Sequence, residues 1–495
     1  MDNMLGYLET LSAIFILLLG VAVLAIIYMY IVDKTQNKHA IRRNYPVIGR
    51  FRYLFEKQGE FFRQYFFAMD REELPFNRAE RSWVYRAAKN VDRTVAFGST
   101  RNLEPTGTIM FMNCAFPTLE EDAVTPSCIT FGSQCRVPYI TDSIFNISAM
   151  SFGALSAPAI KALSDGAAKA GCWLNTGEGG VSKYHLDSGA DLVFQIGTAK
   201  YGVRDEHGQL CDKMLAALAA KPQIKMFEIK MSQGAKPGKG GILPGKKVTE
   251  EIAAIRGIKP GVDSISPNAH PDIKSVKDIL TMVNRIREVT GKPVGFKAVI
   301  GESLWLRGLL EEINLQGPEF APDFITIDSA DGGTGAAPQP LMDYVGLPLK
   351  ESLPLVVNLL VEYGLRDRIR IICAGKLITP SKVAWAIAVG ADAVNSARGF
   401  MFSLGCIQAM QCNKDTCPTG ITTHNLKLQE GLDPTSKAER VANYHKYIQY
   451  GVGLIAHSCG VTQARQLDRN HVRIIQDNGL SVALDKLHPY SETKH

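Results

Sequence analysis

Three polar residues spaced by three follow an apolar run: Lys230, Gln233 and Lys236, in the segment KMSQGAKPGKGGILPG at residues 230–245. Two ammonium groups and an amide suit a dicarboxylate or a flavin anion. A flexible basic surface loop is the competing reading. The segment is rich in glycine, yet it has neither the GKS/T ending of a phosphate-binding loop nor a spaced G-x-G-x-x-G followed by an acidic residue. A second glycine-rich run, IDSADGGTGAAP at residues 327–338, holds Asp331, Gly333, Thr334 and Gly335. Its glycines let several backbone N–H groups converge on an anion, and Thr334 adds a hydroxyl donor. Two later segments can complete a phosphate cradle: Ala374-Gly375-Lys376 and Ser396-Ala397-Arg398-Gly399. Taken singly, each could be a tight turn; three in order point to a phosphate. Lys297 lies inside the apolar run PVGFKAVI. A lysine is almost never fully buried without a partner, so this one reads as a ligand contact in a pocket mouth. Beside a flavin it would stabilise negative charge that develops on reduction.

Cys406, Cys412 and Cys417 form C-x5-C-x4-C, with Pro418 next. The spacing is not the C-x2-C of a zinc knuckle, nor the ferredoxin run of a four-iron cluster. Three thiolates without an evident fourth suit a three-iron cluster. Zinc with His424 or His457 as fourth ligand is the second reading, and three unliganded thiols the third. The other seven cysteines are scattered and read as small buried hydrophobes.

These residues must be held by a scaffold, and its pattern is regular. From about residue 144, short β-rich runs alternate with helical stretches: NISAMSF, WLNTGEGG, VFQIG, KMFEIKMS, VDSISP, PVGFKAVI, FITIDSA, RIRIICAG and DAVNSAR. Ala-rich helices are expected between many of them, at residues 157–170 and 380–389 for example. Strand–helix alternation over this length predicts a parallel sheet with crossover helices, and the size suits an α/β protein of the (β/α)8 TIM-barrel class. A doubly wound open sheet is the alternative. Nine candidates for eight strands leave one over, and VFQIG is taken as the one outside. In such a barrel function collects at the C-terminal strand ends. Those ends here are Gly-rich or polar, as at Ser151-Phe152-Gly153 and in the NTGEGG run that contains Glu178.

Residues 10–32 carry no charge, enough for a helix of roughly 35 Å across a hydrocarbon core of about 30 Å. A secretory signal peptide would need a basic leading segment; here Asp2 and Glu9 precede the run. Lys34, Lys38, Arg42 and Arg43 follow it, which predicts a single-pass inner-membrane protein with its body in the cytoplasm. Between Asp33 and Arg101, eleven Arg and four Lys stand against eight Asp and Glu, so this segment alone accounts for the chain's net charge of +6. A basic collar beside a lipid bilayer fits anionic headgroups, and a solvated surface fits almost as well. No nucleic-acid motif accompanies the charge, so no nucleic-acid partner is expected. The expected organisation is an anchor at 1–33, a juxtamembrane adaptor at 34–140 with a helix near 80–89, a barrel at 141–425, and a helical extension at 426–495.

Six motifs occur in one order: MSFGALS (150–156), NTGEGG (175–180), KMSQGAKPGKGG with ILPG, ISPNAHPDI (265–273), DGGTGAAP, and GC-x5-C-x4-CP-x-G (405–420). Together they resemble the FMN-binding central domain of glutamate synthase, over residues 145–425. The resemblance implies a (β/α)8 barrel, bound FMN and a 3Fe-4S cluster on Cys406, Cys412 and Cys417. It implies reduction of an imine formed from 2-oxoglutarate and ammonia. Lys230, Gln233, Lys236 and Glu178 would meet the 2-oxoacid. Ser151, Asp331, Gly333, Thr334, Gly335, Gly375, Lys376, Ser396 and Arg398 would hold FMN, with Lys297 near its ring. The chain departs from the family at Ile242, where the family has glutamine, and at Val181-Ser182-Lys183-Tyr184. No glutaminase or NAD(P)H unit is recognised, so ammonia and electrons are expected from partners, the latter from a donor protein or reductase. A homo-oligomer is open. The alternatives are an enzyme joining an amine to glutamate, similar to methylamine–glutamate methyltransferase, and a membrane electron-transfer flavoprotein.

Overall fold

The computed structural model describes residues 2–91 and 94–492. They form two units that divide between Ala79 and Glu80. In the first, a helix runs from Asp2 to Thr35. Its stretch Gly6–Thr35 contains an apolar window, of mean hydropathy 2.9, none of which is buried, and it is long and apolar enough to cross a membrane. Helices Ala40–Asn44 and Gly49–Phe62 follow, the latter continuing into a π-helical turn at Arg63–Phe67.

The second unit is built on eight parallel strands closed into a barrel: β1 (Phe145–Ile147), β2 (Leu174–Asn175), β3 (Leu192–Ile196), β4 (Ile224–Lys230), β5 (Val294–Val299), β6 (Phe324–Asp328), β7 (Arg370–Ala374) and β8 (Ala393–Ser396). Eight of the nine expected strands are present, with one exchange. VFQIG is β3 and belongs to the barrel. VDSISP does not: only Ser264–Ile265 is extended, and it pairs antiparallel with Ile242–Leu243. The reason is burial. Every residue of β3 is buried between the barrel interior and its helices, whereas Ile265 is exposed. The helices predicted at 157–170 and 380–389 have those bounds. Ser156 caps the first by accepting from the Ala159 N–H, and Gly171 ends it at φ 68°, a left-handed conformation that favours glycine.

Inside the barrel the side chains form layers. The lower end is closed by a hairpin, Ile129–Phe131 with Tyr139–Thr141. Phe131 and Tyr139 pack there on Trp173, Val193, Met226, Phe324 and Ile372. Edge-to-face contacts of Phe131 with Trp173 and Phe324, at 5.7 and 5.8 Å between centroids, fix the plug. Above it lies a buried polar layer centred on Glu228 of β4. Its carboxylate accepts from Asn175 (2.8 Å), Gln195 (2.7 Å) and Thr326 (2.6 Å), so three strands supply the donors that a buried charge requires. The layer above that is the site.

The expected helical extension contains one long helix, Pro434–Ser458, packed on Ala157–Ala170 through Val441 and Ala438. It ends in β structure: Val472–Ile475 and Ser481–Ala483 form a small sheet with Ile109–Phe111.

Candidate active site

β4 is an alternating strand whose inward residues are Met226 in the plug, Glu228 in the polar layer and Lys230 at the mouth. Lys230 is level with Lys297 of β5, and Lys297 with Thr326 of β6, so the parallel register alone points both lysines inward. Lys230 Nζ lies 2.7 Å from Glu178 Oε1 and 3.0 Å from Gln233 Oε1. Gln233 Nε2 donates to the Gly333 carbonyl at 2.7 Å, and Lys236 Nζ to that of Ala336 at 3.2 Å. Glu178, Lys230, Gln233 and Lys236 therefore meet at the C-terminal end of the barrel, and two of them tie directly to the 331–336 loop.

Glycines make this packing possible. A Cβ on Gly241 would fall 2.4 Å from Glu178 Oε1, and one on Gly197 would fall 2.6 Å from Glu178 Cβ. A Cβ on Gly234 would fall 1.8 Å from the Ser329 carbonyl oxygen. The loop after β4 and the loop after β6 approach each other more closely than any other residue type allows. The Gly234 N–H donates to Asp328 Oδ2 at 3.0 Å, and the same oxygen lies 3.3 Å from Lys297 Nζ.

The charges are strongly coupled. Burial alone would push the Glu178 carboxyl up, but Lys230, Lys236 and Arg256 reverse this and hold it below its usual value. Burial, reinforced by Lys230, draws Lys236 down to about 8, with Glu178 pulling the other way. Burial works against charge on Lys297 too, yet Asp328 and Glu228 outweigh it and raise its pKa. The mouth thus presents a carboxylate held ionised, Lys297 held cationic, and Lys236, whose charge is lost as the pH rises through about 8.

The three expected phosphate loops lie together. Arg398 Nη2 donates to the Asp331 carbonyl at 2.6 Å, and Lys376 Nζ sits 3.6 Å from Asp331 Oδ1. A Cβ on Gly333 would meet Arg398 Nε at 2.7 Å, and one on Gly375 would meet Ser329 Cβ at 2.7 Å; one on Gly335 would meet nothing within 4 Å. Gly333 and Gly375 let the loops pack closely beside the Arg398 and Lys376 cations, and Gly335 faces open space. Backbone N–H groups and cations so placed form a cationic recess of the chemistry that the phosphate end of a flavin mononucleotide requires. Thr334 Oγ bonds within its own loop, to the Ala336 carbonyl. Ser151 packs beneath the 177–179 turn, where Gly177 has φ 66° and a Cβ would fall 2.6 Å from the Ser151 nitrogen. Ser396 lies against Tyr444, and Arg398, just beyond β8, reaches the 331–333 loop.

Sequence reasoning missed Asp328, Glu228 and His270. Asp328 and Glu228 carry the same signal as Lys297, a charge within an apolar strand, and each joins a buried network. His270 Nε2 bonds the Lys230 carbonyl at 3.1 Å, and its Nδ1 is buried without a partner. It stands in a loop whose spacing gives no hint of this.

The three cysteines lie in the loop after the helix Arg398–Leu404 that follows β8. Burial pushes the Cys406 thiol up to about 12, and the charges of Cys412 and Cys417 add to this, so the three are electrostatic neighbours. Lys247 donates to the carbonyls of Ala154 and Cys412, at 2.9 and 3.3 Å. Three residues of this loop, Gln408, Met410 and Asp415, have φ of 58, 50 and 61°, so its path is tightly prescribed. Among the described residues no three His, Cys, Asp or Glu converge on a single ion. His424 Nε2 bonds the Gly153 carbonyl at 2.9 Å. Cys406, Cys412 and Cys417 would be the residues to hold a cluster, which would bring its own sulfides and so does not need the three to converge on one ion.

A closed (β/α)8 barrel with a charged, glycine-lined site at its C-terminal mouth is the architecture of a barrel enzyme. The sequence model of the conserved region in glutamate synthase matches residues 108–462. This chain belongs to the glutamate synthase family. It is similar to the glutamate synthase large subunit-like protein YerD of Bacillus subtilis, with 38% identity over 96% of this chain and 98% of that protein. It is also similar to the archaeal-type glutamate synthase [NADPH] of Thermotoga maritima, with 35% identity over 67% of this chain and 62% of that protein. Against the glutamate synthase [NADPH] large chain of Bacillus subtilis the identity is 33% over 61% of this chain, which spans 19% of that protein.

Proposed function

We propose that this protein is a membrane-anchored, FMN- and 3Fe-4S-dependent oxidoreductase that reductively aminates 2-oxoglutarate or a related 2-oxoacid, with ammonia and electrons delivered by partners. The observation that carries the reading is the Glu178–Lys230–Gln233–Lys236 set, bonded to the same loop that forms the cationic recess. FMN, when bound, supplies the hydride, and its phosphate would be held by the loops containing Asp331, Gly333, Thr334, Gly335, Gly375, Lys376 and Arg398.

The chain's own groups do the rest. Lys230 and Lys236 bind the two carboxylates of a dicarboxylic acid, and the Gln233 amide orients the nearer one. Glu178, held ionised by Lys230, accepts from the amino or imino nitrogen across the mouth. Lys236, with its pKa drawn down to about 8, is cationic at neutral pH and so pairs with a carboxylate there. Lys297 places a fixed positive charge below the recess. Cys406, Cys412 and Cys417 would hold the cluster, which would supply an entry point for electrons from a donor protein, and the apolar helix Gly6–Thr35 is the single membrane crossing, with the body in the cytoplasm.

Ile242 supports a second reading, in which the acid is not 2-oxoglutarate or the nitrogen donor is an alkylamine. It follows Gly241, which packs on Glu178, and brings an exposed apolar side chain where a polar one would reach the acid. Stopped-flow reoxidation of the anaerobically reduced protein by 2-oxoacids, each with ammonia or methylamine, tests the proposal. Reoxidation that requires both an acid and an amine supports it, and the preferred pair chooses between the readings. Reoxidation only by an electron acceptor, with no response to any pair, leaves an electron-transfer module.

A further inference from the structure

The first unit contains a second apolar surface that the crossing helix does not explain. Helix Gly49–Phe62 and the turn Arg63–Phe67 carry Phe51, Leu54, Phe55, Phe62 and Phe66 along one stripe, at the three- and four-residue spacing of a helix face. The rings meet in two pairs and are not tucked under anything: Phe51 with Phe55 at 6.3 Å and Phe62 with Phe66 at 5.7 Å between centroids. Phe55 is 64% exposed and Phe66 68%. Arg52, Lys57 and Arg63 lie off the stripe. From Lys34 to Arg71, nine Lys and Arg stand against three Asp and Glu.

The unit also ties the start of this helix to the end of the apolar one. Asp33, one residue beyond the uncharged run, is fully buried. Its Oδ1 lies 2.7 Å from Arg42 Nη2, and its Oδ2 2.7 Å from Arg50 Nε. The Val47 N–H donates to the same Oδ2 at 3.0 Å. A buried carboxylate with three donors from one following segment is a clip. It brings the first turn of Gly49–Phe62 to the level at which the apolar helix stops.

We propose that residues 49–67 form an in-plane membrane element, which seats its phenylalanine stripe among the headgroups and upper acyl chains of the bilayer that Gly6–Thr35 crosses, and which is selected by anionic lipid. The occupant follows from continuity and charge. The clip sets the helix at the end of a membrane-crossing segment, the stripe is apolar and aromatic, and the flanking residues are cationic; together these are the requirements of an interfacial helix. A monomeric soluble protein rarely leaves such a stripe open to water.

The inference rests on the membrane reading of the N-terminal helix, and the test separates the two. The full-length protein is reconstituted in vesicles of phosphatidylcholine with phosphatidylglycerol, in two versions. Phe55→Trp reports on the stripe and Leu24→Trp on the crossing helix, each read as the increment over the native tryptophans. Lipids brominated near the headgroup should quench the Phe55→Trp increment strongly, and lipids brominated deep in the chain should quench that of Leu24→Trp. Arg52→Glu, Lys57→Glu and Arg63→Glu together should abolish the first signal and leave the second intact. A Phe55→Trp increment untouched by brominated lipid while Leu24→Trp is quenched overturns the in-plane element and gives the stripe to a protein partner or a second copy. Leu24→Trp escaping quenching overturns the membrane reading itself.

Discussion

Replacing Lys236 with alanine should separate substrate binding from flavin binding. The ammonium is buried at the mouth, 4% exposed, and donates to the Ala336 carbonyl at 3.2 Å. It is among the charges that lower the Glu178 pKa. A hydrogen bond to a charged group contributes about 1.5–3 kcal/mol, so losing one to a carboxylate should weaken acid binding roughly 10- to 150-fold. The pH profile carries the same information. Lys236 has its pKa drawn down to about 8, so it is cationic below that pH and neutral above it. KM for the acid should therefore be flat below pH 8 and climb above it, by about tenfold per unit until the contribution of this bond is spent. Lys236→Arg keeps a cation throughout this range and should flatten the rise. The assay is flavin reoxidation by the acid plus amine across pH 6.5–9.5, set up at roughly constant ionic strength because such contacts are screened. Flavin content should be unchanged in both variants. A Lys236→Ala protein that purifies without flavin would refute the reasoning, because the lysine would then be a cofactor ligand. An unchanged KM in a flavin-replete variant would refute it equally.

Gly234→Ala should disrupt the mouth, since its Cβ would lie 1.8 Å from the Ser329 carbonyl; thermal melts should show a loss of several kcal/mol, about 3 or more, together with weaker flavin retention. Phe131→Ala empties the plug under the polar layer and should cost about 3–5 kcal/mol by denaturant titration, while the site residues keep their spacing. Serine at Cys406, Cys412 or Cys417 should each remove iron and acid-labile sulfide in elemental analysis while the barrel still folds; stoichiometric zinc without sulfide in the unsubstituted protein would reject the cluster.

Much of this was legible in the chain because barrel strands are buried on both faces and punctuated by glycine. The continuous apolar runs ending in Gly or polar residues located the strands, and helices Ala157–Ala170 and Pro380–Val389 were bounded by their own caps. What failed was the choice of the ninth run. VDSISP looks extended because Val, Ile and Ser alternate, but Asp263 is bound to the Gly245 N–H at 2.6 Å, which makes the segment part of a loop excursion beside the mouth. VFQIG was taken as the one outside, with nothing local to decide it, and it carries Gln195. That glutamine points inward to Glu228, a partner three strands of chain would have to bring together before it could be seen.

The site shows the same division. Lys230, Gln233 and Lys236 were visible from spacing, and Lys297 from the improbability of an unpartnered buried charge. Its partner Asp328 was not, although it closes the strand FITID, because nothing in one strand states which neighbour it will face. The Ser396 side chain is turned to Tyr444 by the C-terminal helix, a tertiary contact with no local signature. The boundary between Ala79 and Glu80 was equally hidden. The hairpin at 129–141 reads as ordinary loop and strand until the barrel it plugs is in place.

The central claim is that one mouth binds a 2-oxoacid and an amine against a reduced flavin, and anaerobic single-turnover reoxidation of the full-length protein tests it most directly. With the flavin photoreduced, a 2-oxoacid and an amine together should reoxidise it with saturation in the acid and release one amino acid per flavin, while either reagent alone leaves it reduced. Reoxidation that is the same with and without every acid and amine pair would contradict the account.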